Sequence, residues 1–168
     1  MFEIIKVYRE TLPDVRLIGK RYTNADRVDG SYGAKWAESD ANGLWQKLDE
    51  LPKLEGIDSG CLGIMNVQGD FEYWIGRFFA AGTGVPEGLN YADIPAGDLG
   101  TCWIKGNGAN GEIYGETPHN ACYAKIKEQG WEAAYHDLWF FERYNPERFM
   151  TPDADGNVVL DYCFYLMR

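Results

Sequence analysis

Glu142 stands in the run Leu138-Trp139-Phe140-Phe141-Glu142-Arg143-Tyr144, which predicts a strand apolar on both faces. A lone carboxylate at such a position costs several kcal/mol unless something answers its charge. Three environments would do so: an ion pair with a nearby Arg or Lys, an edge position open to water, or an aromatic groove that takes a cationic ligand. Phe140 and Tyr144 share the Glu142 face by the two-residue period of a strand. Six tryptophans and eleven tyrosines supply further ring faces. A desolvated cation–π contact is worth about 0.5–2 kcal/mol. Most of these rings must form core; Trp36, Trp45, Tyr73 and Trp103 are taken as candidate walls of a groove around Glu142.

The other chemistry-bearing patterns are weaker. Gly106, Gly108 and Gly111 spell G-x-G-x-x-G after a predicted strand, but a dinucleotide cradle needs its third glycine in the first turn of a helix. Here Glu112 to Gly115 intervene before Pro118, so the segment reads as a loop. Asp153, Asp155 and Asn157 have the spacing of calcium-loop ligands. Val158 replaces the expected glycine and Phe164 the closing carboxylate, so a hairpin turn is expected. His119 and His136 have no partner at helical spacing, and Ser31, Ser39 and Ser59 lie in no nucleophile elbow. Cys61, Cys102, Cys122 and Cys163 form no C-x-x-C pair and have no histidine at zinc-ligand spacing. They read as reduced, buried thiols. Neither metal nor cofactor is expected.

The elements that must position Glu142 follow from the apolar periodicity. Val15–Thr23 predicts a strand and Asn24 to Ser31 a loop. Leu44, Leu48 and Leu51 predict a helix that Pro52 stops and that Asn42-Gly43 kinks or delays. Cys61–Gln68 and Phe71–Ala80 predict a hairpin about Gly69-Asp70. Ala81 to Pro95 reads as a long loop. A second cycle follows: a strand over Asp98–Lys105, a glycine-rich loop, and a helix from Thr117-Pro118 to about Gln129, with Thr117 as N-cap. Leu138–Tyr144 and Val158–Met167 are the last two strands, joined by a turn around Asp155-Gly156-Asn157. Strand–helix–strand–strand thus occurs twice, over about 15–80 and 98–168. Neither unit could bury a small sheet alone. The expected fold is one α+β domain over residues 1–168, a curved antiparallel sheet with a ligand groove between its duplicated halves.

Composition bounds the function. Hydrophobic residues make up 45% of the 168, enough for a core and against disorder. Sixteen basic against 26 acidic residues give a net charge of −10. Such a surface repels nucleic acid and anionic lipid and concentrates cations. No apolar run approaches the roughly 18 residues of a membrane span, and Met1 to Glu10 lacks the apolar core of a secretory signal. A cytoplasmic protein is expected.

Along this frame the sequence resembles the GyrI-like small-molecule-binding domain, also called the AraC-type or bacterial transcription-activator effector-binding domain. The resemblance is carried by Leu17-Ile18-Gly19-Lys20-Arg21-Tyr22, Leu44-Trp45, Phe71-Glu72-Tyr73-Trp74-Ile75-Gly76, Ile94-Pro95-Ala96-Gly97, Phe141-Glu142-Arg143-Tyr144 and Asp161–Leu166. These stretches are collinear over nearly the whole chain. The resemblance implies a duplicated α+β fold whose inter-half pocket takes lipophilic, often cationic, aromatic compounds, with Glu142 at the position of the family's buried glutamate. Asn42-Gly43 stands where the family has Ile-Pro, and Tyr165 where it has a proline in the last strand. The family is commonly fused to a helix-turn-helix module, whereas about 15 residues precede the first predicted strand here. A stand-alone sensing or sequestering domain is therefore expected, acting alone, as a homodimer or through a regulatory protein partner. Some stand-alone GyrI-like proteins are hydrolases of cyclopropane-containing natural products. In that alternative Glu142 is the general base on a water.

Overall fold

The computed structural model describes residues 1–134 and 139–167. Its framework is an α+β arrangement of one open, curved sheet of eight antiparallel strands, with three α-helices. The strands are β1 (Glu3–Leu12), β2 (Val15–Thr23), β3 (Cys61–Asn66), β4 (Glu72–Ala80), β5 (Asn90–Ile94), β6 (Gly97–Asn107), β7 (Phe140–Tyr144) and β8 (Asn157–Tyr165). The helices are α1 (Gly33–Ala41), α2 (Leu44–Asp49) and α3 (Glu116–Glu128). Strand order across the sheet is β1-β6-β8-β7-β3-β4-β2-β5. The Glu142 strand is therefore central, paired with β8 on one side and β3 on the other.

The curvature has a covalent cause. Pro13-Asp14 joins β1, at one edge, to β2, the strand next to the opposite edge; Pro95-Ala96 likewise joins β5 to β6. Such a link spans at most about 11 Å between the Cα atoms of the strand ends, so the two ends of the sheet are drawn together. Asp14 Oδ1 accepts a hydrogen bond from the Ala96 backbone N–H at 2.7 Å, tying the links to each other. Leu12, Val15, Ile94 and Leu99 seal the seam. Where β2 and β4 cross most closely, Gly19 faces Gly76, and a Cβ on either would lie 2.0–2.2 Å from a backbone oxygen. Only glycine fits such a bend.

The curl gives the sheet an inner and an outer face. Leu17, Leu62, Ile64, Trp74, Phe141 and Cys163 fill the inner one. The helices lie on the outer face. Leu44 and Leu48 of α2 pack on Ile18 and Ile75, and Cys122 and Ile126 of α3 on Cys102, Ile104 and Leu160. Between these two clusters run β7 and β3.

Several expectations change. β1 occupies residues expected to precede the first strand, and β5 lies in the stretch expected as a long loop. Both are edge strands, whose one-sided burial admits charges such as Lys6, Arg9 and Glu10 and blurs the apolar alternation. The helix predicted around Leu44 is two helices broken at Gly43, whose φ of 74° ends one and opens the next. α3 starts behind Gly115, so Thr117 lies inside the first turn instead of capping it. β6 runs two residues further than expected, to Asn107, so the glycine-rich loop covers 108–115. The turn about Gly156 is as expected, and Asp153 Oδ1 accepts from the backbone N–H groups of Asp155 and Asn157. Leu138 and His136 lie outside the described residues. No helix among the described residues is long and apolar enough to cross a membrane.

Candidate functional site

Directly paired residues of adjacent strands share a face, so the register places Glu142 beside Tyr162 of β8 and Gly63 of β3 on the outer face. The strand is central, which removes the edge-position explanation for its carboxylate. The residue is half-buried, with its carboxyl in densely packed protein. Its hydrogen bond comes from the Tyr144 hydroxyl, which donates to Oε2 at 2.6 Å. No Lys, Arg or His among the described residues forms a salt bridge with it, which removes the ion-pair explanation.

Aromatic rings close over this carboxyl. Trp36, reaching across from α1, meets Tyr144 edge-on with centroids 4.9 Å apart and donates from Nε1 to the Tyr73 hydroxyl at 2.9 Å. Tyr73 is fixed from behind by Tyr32, stacked at 4.1 Å. Gly63 makes room for this layer, since a Cβ there would lie 2.5 Å from the Tyr73 hydroxyl and 3.2 Å from the Trp36 ring. Phe149 packs on Tyr144 at 4.8 Å, and Tyr114 borders Phe149. Tyr162 is held by donating to the Ile113 carbonyl at 2.6 Å.

The electrostatics follow from this packing. Burial raises the Glu142 pKa above the ordinary carboxylate range, and the Tyr144 hydrogen bond offsets only part of that effect. Burial, and then the Glu142 charge, push the phenols of Tyr73, Tyr114, Tyr144 and Tyr162 upward, so all four stay neutral hydroxyls. Four phenols around one carboxyl make a site that lacks positive charge.

Of the residues expected from sequence, Trp36, Tyr73, Glu142 and Tyr144 come together. Phe140 shares their face but lies in the core beneath α3, 5.4 Å from the His119 ring and 6.3 Å from Phe164. Trp45 stands one ring further out. It stacks on Trp36 at 6.0 Å, donates to Asp40, and carries the Arg77 guanidinium 5.1 Å from its centroid. Trp103 belongs elsewhere: it pairs with Asp161, hence with Arg143, on the inner face. Its ring contacts Arg148 at 4.1 Å and Lys6 at 4.5 Å, so the chain's own cations occupy it. Gly63, Tyr114, Phe149 and Tyr162 were not among the expected residues. An isolated glycine in a predicted strand is a signal of close approach that points to Gly63. Tyr114 and Phe149 lie outside strands and helices and carry no periodic signal.

Cavities open elsewhere among the described residues. One of about 730 Å³ lies beside α3 against His119, Tyr123, Lys127 and Trp131; one of about 310 Å³ is lined by Leu48, Leu54, Cys61 and Arg77. Glu142 lines neither. The described residues contain no cluster able to hold a metal ion, and all four cysteines are free, with Cys61 only partly buried.

No protein-family model matches the sequence, and no curated protein matches it. Solved structures do. A Staphylococcus aureus MU50 protein assigned to bacterial transcription regulation superposes with a TM-score of 0.65 at 16% identity, covering 98% of this chain and 99% of that one. SAV2435 bound to tetraphenylphosphonium gives 0.65 at 15% identity, covering 97% and 94%. The EcmrR C-terminal domain gives 0.62 at 14% identity, covering 97% and 98%. The chain shares the fold of these three structures over nearly its whole length.

Proposed function

We propose that this chain is a small-molecule effector-binding domain that holds hydrophobic organic cations against Glu142, within walls formed by Trp36, Tyr73, Tyr144, Phe149 and Tyr114. The observation that carries the reading is the Glu142 carboxyl itself: enclosed on a central strand, bonded to Tyr144, and without a cationic partner among the described residues. A ligand cation supplies the missing charge, and the rings supply apolar area and cation–π contact. The −10 net charge raises the local concentration of such ligands.

The strand order supports a duplicated architecture. Outward from the central β7–β3 pair, the sheet runs β8, β6, β1 on one side and β4, β2, β5 on the other. On this reading the groove is the gap between the α1–α2 layer and α3, and ligand entry parts Trp36 from Tyr144. A fold neighbour has been solved with tetraphenylphosphonium, a cation of the proposed class. The same reading makes the chain a cytoplasmic sensing or sequestering module that does not itself touch nucleic acid or membrane.

Tetraphenylphosphonium binding, followed by tryptophan fluorescence, tests the proposal. Wild type should bind the cation at least tenfold more tightly than a neutral aromatic of equal size, a difference of about 1.4 kcal/mol. Glu142→Gln should erase most of that preference. Equal affinity for both ligands would remove the cation assignment. Repeated turnover of an electrophilic cyclopropane, lost in Glu142→Gln, would instead move the site to the hydrolase class.

A further inference from the structure

The occupancy of the Glu142 carboxyl before a ligand arrives has its own consequence, which rests on the reading above. We infer that Glu142 is a carboxylic acid in the ligand-free protein, and that a permanently charged cation displaces its proton to solvent on binding. The balance is simple. One O–H bond breaks at Glu142, the carboxylate pairs with the cation, and one proton passes to the buffer.

The surroundings carry the inference. From its own strand Glu142 meets the Tyr144 hydroxyl, from β4 Tyr73, from β8 Tyr162, and from the loop before α3 Tyr114. All four are neutral. β3 presents Gly63 and α1 the uncharged Trp36. Cys61 on β3 is a thiol held neutral by burial, and Cys122 on α3 one held neutral by its hydrogen bond with Cys102 and by burial. His119 on α3 packs against Phe140, Tyr162 and Phe164, where burial lowers its pKa and disfavours the imidazolium. Arg77 and Lys35, on the same side of the sheet, pair with Asp49 and Glu38. One phenolic hydrogen bond does not offset burial of an unpaired charge, so the carboxyl titrates above its ordinary range.

Affinity for a permanent cation should then rise up to tenfold per pH unit while the carboxyl titrates, and level off above that range. A neutral ligand should show no such rise.

Calorimetry of tetraphenylphosphonium with the full chain between about pH 5 and 8, in buffers of different ionisation enthalpy, counts the protons released. The expected count is largest at the acid end and falls toward zero at the alkaline end. Infrared difference spectra should show a protonated-carboxyl band that disappears on binding and is missing from Glu142→Gln. Tight binding with pH-independent affinity and no proton release would overturn the inference and leave the cation site standing. Failure of folded wild type to bind the cation would instead remove the site. In that event the infrared spectrum of the ligand-free protein still decides: a missing protonated-carboxyl band at the acid end overturns the inference.

Discussion

Glu142 and Arg143 are consecutive residues of one short strand, and they meet opposite fates. Arg143 points to the inner face, is 2% exposed, and is surrounded by opposite charge. Its guanidinium donates to Asp161 at 2.7 Å and to Glu10 at 2.7 Å, and it also bonds the Tyr8 hydroxyl. Arg148 joins the same cluster through Asp161 and Asp58. Asn145 binds Asp58 as well and accepts from the backbone of Glu147 and Arg148, which shapes the turn that carries Phe149. Glu142 points outward and has one phenol. The inner charges are satisfied and hold β1, β7, β8 and the turn together. The outer carboxyl has no such partners, and on the proposed reading that leaves it open to a ligand cation. Burial alone does not distinguish a structural ion from a binding group; the presence of partners does.

The comparison breaks most visibly through Arg143→Met. The substitution keeps an unbranched apolar stem but leaves Glu10 without its guanidinium and Asp161, fully buried, with Arg148 alone. Removing one partner of a buried ion pair costs about 3–5 kcal/mol. Urea denaturation should show that loss, together with a large fall in Tm. A loss below about 1 kcal/mol, the scale of an exposed pair, would place this network with surface salt bridges.

Glu142→Gln should go the other way. The folded-state pKa of Glu142 is raised, so between the ordinary value of about 4.3 and the raised one the folded protein binds more protons than the unfolded chain. The contribution of this group to stability is therefore complete below about pH 4.3 and is lost as pH rises through the raised value. The loss is about 1.4 kcal/mol for each pH unit that separates the two values. Ligand-free Glu142→Gln should lack this decline and melt higher than wild type above the window. A mutant that melts lower at every pH would show that Glu142 has a stabilising partner after all.

How much of this was legible beforehand depends on what each residue's neighbours contribute. The carboxylate within an apolar strand and the helix break at Asn42-Gly43 are local patterns, and the structure has the first on the central strand β7 and the second between α1 and α2. The edge strands β1 and β5 are not local in this sense. They exist because two-residue links fold the ends of the sheet toward each other, a consequence of topology that residue periodicity does not express. The inner ion cluster is also non-local: Glu10, Asp58, Arg143 and Asp161 come from four distant segments. Sequence showed Arg143 only as the polar neighbour of a more conspicuous glutamate. Rings were the hardest to place, because a tryptophan in a strand looks the same whichever face it takes.

Trp103 and Trp36 turn that ambiguity into the smallest and sharpest expectation. Both are half-buried indoles, and sequence offered both as groove walls. Trp36 lies on the outer face against Tyr144, with its N–H on Tyr73, so it can present a ring to a cation at Glu142. Trp103 lies on the inner face, with its Tyr8 neighbour edge-on at 5.8 Å and Lys6 and Arg148 over its ring. A ligand cation at Glu142 would be separated from Trp103 by the thickness of the sheet. Trp36→Leu removes a cation–π partner worth about 0.5–2 kcal/mol, so tetraphenylphosphonium affinity should fall roughly twofold to thirtyfold. Trp103→Phe keeps an apolar ring in place and should leave that affinity unchanged, although it alters the packing of Lys6 and Arg148. Titrations of the two variants against wild type check this directly. Weakening by Trp103→Phe equal to that by Trp36→Leu would mean that the inner face takes part in binding, and the division between a structural face and a ligand face would fall.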